Sequence, residues 1–161
     1  MAAFAPQGEE KRLVEALQKA GLRLTPQRLA ICRYLVNTDE HPTAQEIHRV
    51  LKEDFPSLSL ATVYNTLETL VSLGAIHAVG DAGDDRVHYD ADITPHINLV
   101  CIRCHRIIDV PHEALSHLEE EAAARSGYRI LGARLVYYGL CPACQRLESE
   151  KEKHGSTSVA A

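Results

Sequence analysis

Residues 59–90, SLATVYNTLETLVSLGAIHAVGDAGDDRVHYD, decide the fold. Ser59 is a helix cap, and behind it Val63, Leu67, Leu70 and Val71 recur at helical spacing until Gly74 ends the run. The pattern then shortens to extended segments. AIHAV (75–79) and RVHYD (86–90) flank GDAGDD, a glycine- and aspartate-rich turn that predicts a hairpin.

Three further helices precede this unit. Residues 9–20 place Leu13, Ala16, Leu17 and Ala20 on one face, with Gly21 as the stop. Thr25-Pro26 is a cap followed by proline at the first helical position, and Leu29, Cys32, Leu35 and Val36 form the stripe behind it. Thr43 and Glu46 have capping-box spacing, opening a helix with Ile47, Val50 and Leu51 inward. Helices followed by a hairpin are the order of a winged helix-turn-helix. Its DNA reader is then the fourth helix, whose outward positions are Thr62, Tyr64, Asn65, Thr66, Glu68, Thr69 and Ser72. Hydroxyls, an amide and a phenol suit base edges and phosphate oxygens. Any exposed helix carries such residues; the place just before the hairpin singles this one out.

The net charge of -5 argues against broad, non-specific nucleic-acid binding. From Lys11 to Arg33, however, six bases, Arg23 and Arg28 among them, accompany the single acid Glu15. A local face that tracks phosphates and ordinary surface solvation both account for that run.

A second unit begins near residue 96. HINLVC (96–101) and RIIDV (106–110) read as strands around a Cys-x-x-Cys pair. Pro111 is expected to start a helix with Leu115, Leu118 and Ala122 inward, ending at Gly127. YRILGARLVYYGLC (128–141) then reads as a long strand leading into the second pair, and the chain beyond about residue 147 as a flexible tail. The 161 residues, 45% hydrophobic and 24% charged, have the balance of a globular protein. MAAFAPQGEEKR lacks the apolar run of a secretory signal, and no stretch approaches transmembrane length, so a cytoplasmic setting without membrane contact is expected.

In a reducing compartment paired cysteines are metal ligands more often than disulfides. Each Cys-x-x-Cys supplies half of a tetrahedral site, and four soft thiolates favour zinc or iron–sulfur over hard cations. Cys101, Cys104, Cys141 and Cys144 are therefore expected to hold one structural zinc, with two redox-active pairs or four buried thiols as the competing reading. The 36 residues between the pairs (105–140) leave room for a helix and a strand. Cys32 stands apart, on the core face of a helix.

LTPQRLAI, HPTAQEIH, LATVYNTLETLVSLG, the linker from Asp90 to His96, the two cysteine pairs and VYYGLC together resemble the ferric uptake regulator (Fur) family, over about residues 9 to 147. The resemblance implies a homodimeric, metal-dependent repressor of the α+β class. A winged-helix DNA-binding domain (1–90, with 1–8 flexible) would precede a small α/β dimerisation and metal-binding domain (91–147) and a flexible tail (148–161). Its partner would be palindromic, AT-rich double-stranded operator DNA, with contacts from Arg23, Arg28, Thr62, Tyr64, Asn65 and Thr66.

The family's regulatory metal site transfers to His41, Asp90, His96 and Asp109. Its fifth position departs, because Asn98 stands where a second histidine is usual. Two imidazole nitrogens and three oxygens make a harder set, leaning toward manganese(II) or iron(II) and away from zinc. A third site found in some members is expected to be absent, since Ile97 interrupts the histidine run. Aspartate at 109, with histidines at 41 and 96, resembles the peroxide-responsive (PerR) branch, in which iron and peroxide oxidise a ligand histidine; the alternative is an iron or manganese uptake regulator that reads metal level. No nucleophile–base pair or phosphate-cradling glycine loop supports an enzyme.

Overall fold

The computed structural model describes residues 7–130 and 133–155. Four helices come first: α1 (Gln7–Lys19), α2 (Pro26–Val36), α3 (Ala44–Leu51) and α4 (Leu60–Ser72). The caps predicted for the last three are in place. Thr25 Oγ1 accepts the Arg28 amide at 3.3 Å, and Ser59 Oγ accepts the Thr62 amide at 3.1 Å. The Thr43 amide donates to Glu46 at 2.8 Å while Thr43 Oγ1 accepts the Glu46 amide. These contacts satisfy amides that a helix start leaves without partners.

The helices enclose a core of Leu13, Leu17, Ile31, Leu35, Ile47, Val63, Leu67 and Leu70, joined by Ile76 and Tyr89 from the hairpin. Cys32 is packed in it, and burial, assisted by the charge of Glu10, pushes its thiol up to about 12. Three expectations fail by one helical step. Ala20 lies just past the end of α1 and is exposed. Val50 sits on the flank of α3 at 38% exposure, because Ala44, Ile47 and Leu51 take the centre of its stripe. Thr66, three residues after Val63 and four before Leu70, turns into the core and spends its hydroxyl on the Thr62 carbonyl at 2.7 Å.

The hairpin follows as β1 (His77–Asp81) and β2 (Val87–Asp90), antiparallel with a bulge between Ala78 and Gly80. Its turn is organised by Asp81, whose Oδ1 accepts the amides of Gly83, Asp84 and Asp85 at 2.7, 2.9 and 3.0 Å.

β3 (His96–Cys101), β4 (Ile107–Pro111) and β5 (Leu135–Gly139) form a second sheet in the order β4–β3–β5. β3 is antiparallel to β4 and parallel to β5, so the chain needs a crossover, and α5 (Ala114–Ser126) lies in it. Pro111 closes β4 rather than opening the helix; on an edge strand its missing amide costs nothing. The long strand expected from 128 is confined to 135–139, the stretch that pairs with 97–101 of β3; Leu131 and Gly132 lie outside the described residues. The expected tail is helical as far as Gly155: α6 (Pro142–Gly155) has proline in its first turn and strong helix formers after it. Residues 1–6 and 156–161 lie outside the described part.

The sheet has little core of its own. Val100 and Ile107 are buried in a cluster with Val79 and Ala82 of the hairpin, against which the half-buried Val136 of β5 packs. α5 buries none of its side chains, and Leu118 is 57% exposed rather than inward. Ile108, Leu99 and Tyr137 are paired in register across the three strands, forming one exposed apolar row. Among the described residues no helix is long and apolar enough to cross a membrane.

Leu67 is fully buried at the centre of the helical core. Leu67→Ala should lower unfolding free energy by about 3 kcal/mol, read as a shifted urea midpoint in circular dichroism at unchanged slope.

Candidate metal centres

The cysteine pairs are brought together by the pairing of β3 with β5. Cys101 ends β3 opposite Gly139, Cys104 lies in the turn beyond it, and Cys141 and Cys144 flank the start of α6. The four sulfurs all lie within 4.8 Å of one another. Cys104 Sγ and Cys141 Sγ are 3.7 Å apart. Thiolates about 2.3 Å from a shared tetrahedral cation are separated by about 3.8 Å, whereas a disulfide requires about 2.05 Å. All five cysteines are free.

The turns also ready two of the sulfurs as thiolates. Backbone amides of Cys104 and Cys141 point at Cys101 and bring it down to about 6; the Cys141 amide lies 3.3 Å from that sulfur. The Cys144 amide lowers Cys141 likewise. Burial and the neighbouring sulfurs push Cys144 up to about 12, an elevation that coordination overrides, because a metal-bound thiol is deprotonated.

The second cluster lies at the seam between helices and sheet. His41 comes from the loop before α3, Asp90 from the end of β2, His96 from the start of β3 and Asp109 from β4. His41 Nε2 is 2.9 Å from Asp109 Oδ1 and 3.7 Å from Asp90 Oδ2, and His96 Nε2 is 3.0 Å from Asp90 Oδ2 and 3.5 Å from Asp109 Oδ1. Donors about 2.1 Å from one octahedral cation lie about 3.0 Å apart. Asn98 is opposite Asp109 in the strand register, two residues from His96 and therefore on its face, and it lines one small cavity with Asp90 and His96.

The buried polar atoms here are tuned for an acceptor of lone pairs. His41 Nε2, His96 Nε2, Asp90 Oδ2 and Asn98 Oδ1 are all buried without an aligned hydrogen bond among the described residues. The other ends of two ligands are occupied. His96 Nδ1 donates to the Thr94 carbonyl at 2.8 Å, leaving Nε2 free, and Asp90 Oδ1 accepts the Asp92 amide at 2.8 Å, leaving Oδ2 free. Outer contacts of this kind orient metal ligands. Sequence reasoning missed them, since the Thr94 contact is made by main chain. It also missed Arg12, whose guanidinium donates to the carbonyls of Ala75 and, at 2.8 Å, Ala91, tying α1 to the residue after Asp90.

On the outward face of α4, Arg28 donates to Asn65 Oδ1 at 3.3 Å and to the Arg23 carbonyl at 2.8 Å, and Gln45 donates to the Tyr64 hydroxyl at 2.8 Å. Around this helix Arg23 and Asn65 are exposed and Arg28, Thr62 and Tyr64 half-buried, whereas Thr66 is buried.

Without a cation, burial opposes a charged His41, yet the Asp109 and Asp90 carboxylates outweigh it and raise the imidazole from 6.5 to about 9. Asp90 is itself held below its ordinary range: burial opposes its charge, but His41 and the Asp92 amide prevail. A raised folded-state pKa stabilises fully below 6.5 and ceases to do so as pH rises through about 9. The denaturant midpoint of metal-free protein should therefore fall between pH 6.5 and 9, and His41→Asn should flatten that part of the profile. Metal uptake must displace the same proton, so manganese affinity should rise over this window, measured by titration at fixed ionic strength.

Residues 19–138 match the Ferric uptake regulator family. The peroxide operon regulator of Bacillus subtilis (strain 168) is 38% identical over 146 residues, spanning 91% of this chain and 97% of that protein. The Helicobacter pylori ferric uptake regulator Fur, 20% identical, shares the fold with a TM-score of 0.70 over 89% of this chain and 95% of its own. A zinc uptake regulator solved in complex with zinc and DNA is 25% identical, with a TM-score of 0.59 over 89% of this chain and 99% of its own. The protein is a member of the ferric uptake regulator family.

Proposed function

We propose that this protein is a metal-dependent transcriptional repressor of the peroxide-responsive kind, a regulator rather than an enzyme. One observation carries the reading: His41 from the helical half, Asp90 from the hinge, and His96 and Asp109 from the sheet converge within 4.8 Å of one another. Residues 1–90 are the winged-helix DNA-binding domain and 91–147 the dimerisation and metal-binding domain, with α6 continuing past that boundary. Cys101, Cys104, Cys141 and Cys144 hold a structural zinc. His41, Asp90, His96, Asn98 and Asp109 hold manganese(II) or iron(II); the buried, unpartnered Oδ1 of Asn98 supports it as the fifth donor.

Closing ligands from both halves onto one ion favours a single placement of the helical domain on the sheet. In a two-fold dimer that placement sets the distance between the two α4 helices, matching a palindromic, AT-rich operator. The exposed row of Ile108, Leu99 and Tyr137, with Leu118 of α5, is suited to burial against a second copy. Arg23 and Arg28 face phosphates while Thr62, Tyr64 and Asn65 reach the groove. The DNA-bound zinc uptake regulator of similar fold supports this use of the helical unit. Iron(II), when bound, supplies one-electron chemistry toward hydrogen peroxide, and the imidazoles of His41 and His96 are the oxidisable groups beside it. The likeness to the peroxide operon regulator favours this over simple metal-level sensing.

Gel shift on a palindromic AT-rich duplex should require added manganese or iron. Asp90→Ala should abolish the shift while sedimentation still reports a dimer; binding that ignores both metals would refute the hinge clamp. After iron loading and stoichiometric peroxide, mass spectrometry should find one added oxygen on the peptides holding His41 or His96. Unmodified histidines with retained DNA binding would assign the protein to metal-level sensing instead.

A further inference from the structure

The two histidines of the hinge cluster are held in different ways. His96 is fixed through its ring, by the Thr94 carbonyl at Nδ1. His41 has no equivalent: its Nδ1 is buried and has no hydrogen-bond partner among the described residues. With no anchor at Nδ1, the His41 ring is held by its Nε2 contacts with the two carboxylates and by its main chain, and the main chain is gripped by the hairpin. His88 Nδ1 donates to the His41 carbonyl at 2.7 Å. The Tyr89 amide donates to the Pro42 carbonyl at 3.0 Å, and Thr43 forms an isolated bridge with His88.

His88 is in turn held from the hairpin turn. Its Nε2 lies 3.1 Å from an Asp84 carboxylate oxygen, and the Asp84 amide is placed by Asp81 at 2.9 Å. At 7% exposure, an imidazole in this position costs more to bury than an apolar side chain would. Both its nitrogens are engaged, one of them by the residue whose placement the site depends on. Sequence offers one clue to this role: 88 and 90 lie on the same face of β2, so His88 points to the side from which Asp90 reaches the cluster.

We infer that His88 is a positioning residue for the hinge metal: anchored by Asp84, it holds the His41 carbonyl so that His41 Nε2 faces Asp90 and Asp109. The inference rests on reading His41, Asp90, His96, Asn98 and Asp109 as a metal site. It makes the hairpin turn an outer support of that site, so that the helical half presents its ligand in a preset direction.

The test measures manganese(II) affinity of the full chain by electron paramagnetic resonance of the free ion, alongside zinc content per chain and helical circular dichroism. His88→Ala should weaken manganese binding about 10-fold, the low end for loss of an outer contact, with zinc content and helicity unchanged. His88→Asn, whose side-chain amide can donate to the same carbonyl, should recover most of the affinity. Undiminished affinity in His88→Ala, or failure of His88→Asn to restore it, overturns the inference; so does loss of zinc or helicity in both variants, which would make His88 a general structural residue. Wild-type protein that takes up no manganese would instead remove the hinge-metal reading, and this inference with it.

Discussion

Burying a polar nitrogen or oxygen without an aligned hydrogen bond is costly, and among the described residues such atoms gather at one seam. His41 Nε2, His96 Nε2, Asp90 Oδ2 and Asn98 Oδ1 meet there, from the loop before α3, the end of β2 and the start of β3. Asp109 faces the same space from β4. The rest of the architecture serves that meeting. The capping box starting at Thr43 fixes where the His41 loop ends, the hairpin brings Asp90 to the seam, and the β3–β4 register sets Asn98 against Asp109. Arg12 reaches across from the first helix to steady the residue after Asp90. A cation would satisfy such a donor set, and between the two halves its occupancy would be linked to their arrangement.

The two halves differ in how they are stabilised. The helical half has a continuous apolar core, completed by Ile76 and Tyr89 of the hairpin. The sheet has two buried apolar side chains of its own, Val100 and Ile107, in the cluster it shares with the hairpin, while much apolar surface stays exposed. Small units with so little core are usually stapled or paired. The four cysteines stand where a bound zinc would tie the end of β3 to the start of α6, and the exposed row across the sheet would suit a second copy. The thiolate set is soft and the hinge set is mixed nitrogen and oxygen, so the two clusters suit different ions.

Much of this was legible in the residues. Caps at Thr25, Thr43 and Ser59 and the aspartate-rich turn are local signals with local causes, and each lies where its spacing predicts; the stripes behind the caps follow it apart from Val50 and Thr66. The cysteine pairs and the motif register marked both clusters. Thr66 and Val50 are misread because they lie one helical step from the boundary between a buried and an open face, and composition cannot say which neighbour covers them; Leu118 is misread because α5 buries none of its side chains. Likewise α6 is built from charged helix formers that read equally well as a solvated tail.

The sequence by itself determined which residues were equipped to act: four thiols in two pairs, two imidazoles, two carboxylates and an amide, on segments whose local structure followed from caps, turns and periodicity. The tertiary structure decided which of their atoms face one another and which are already engaged. That His96 presents Nε2 because Thr94 holds Nδ1, and that His41 depends on its main chain and hence on His88, are consequences of contacts between segments distant or irregular in sequence. Periodicity assigns a side chain to a face. Only packing assigns a lone pair to a partner.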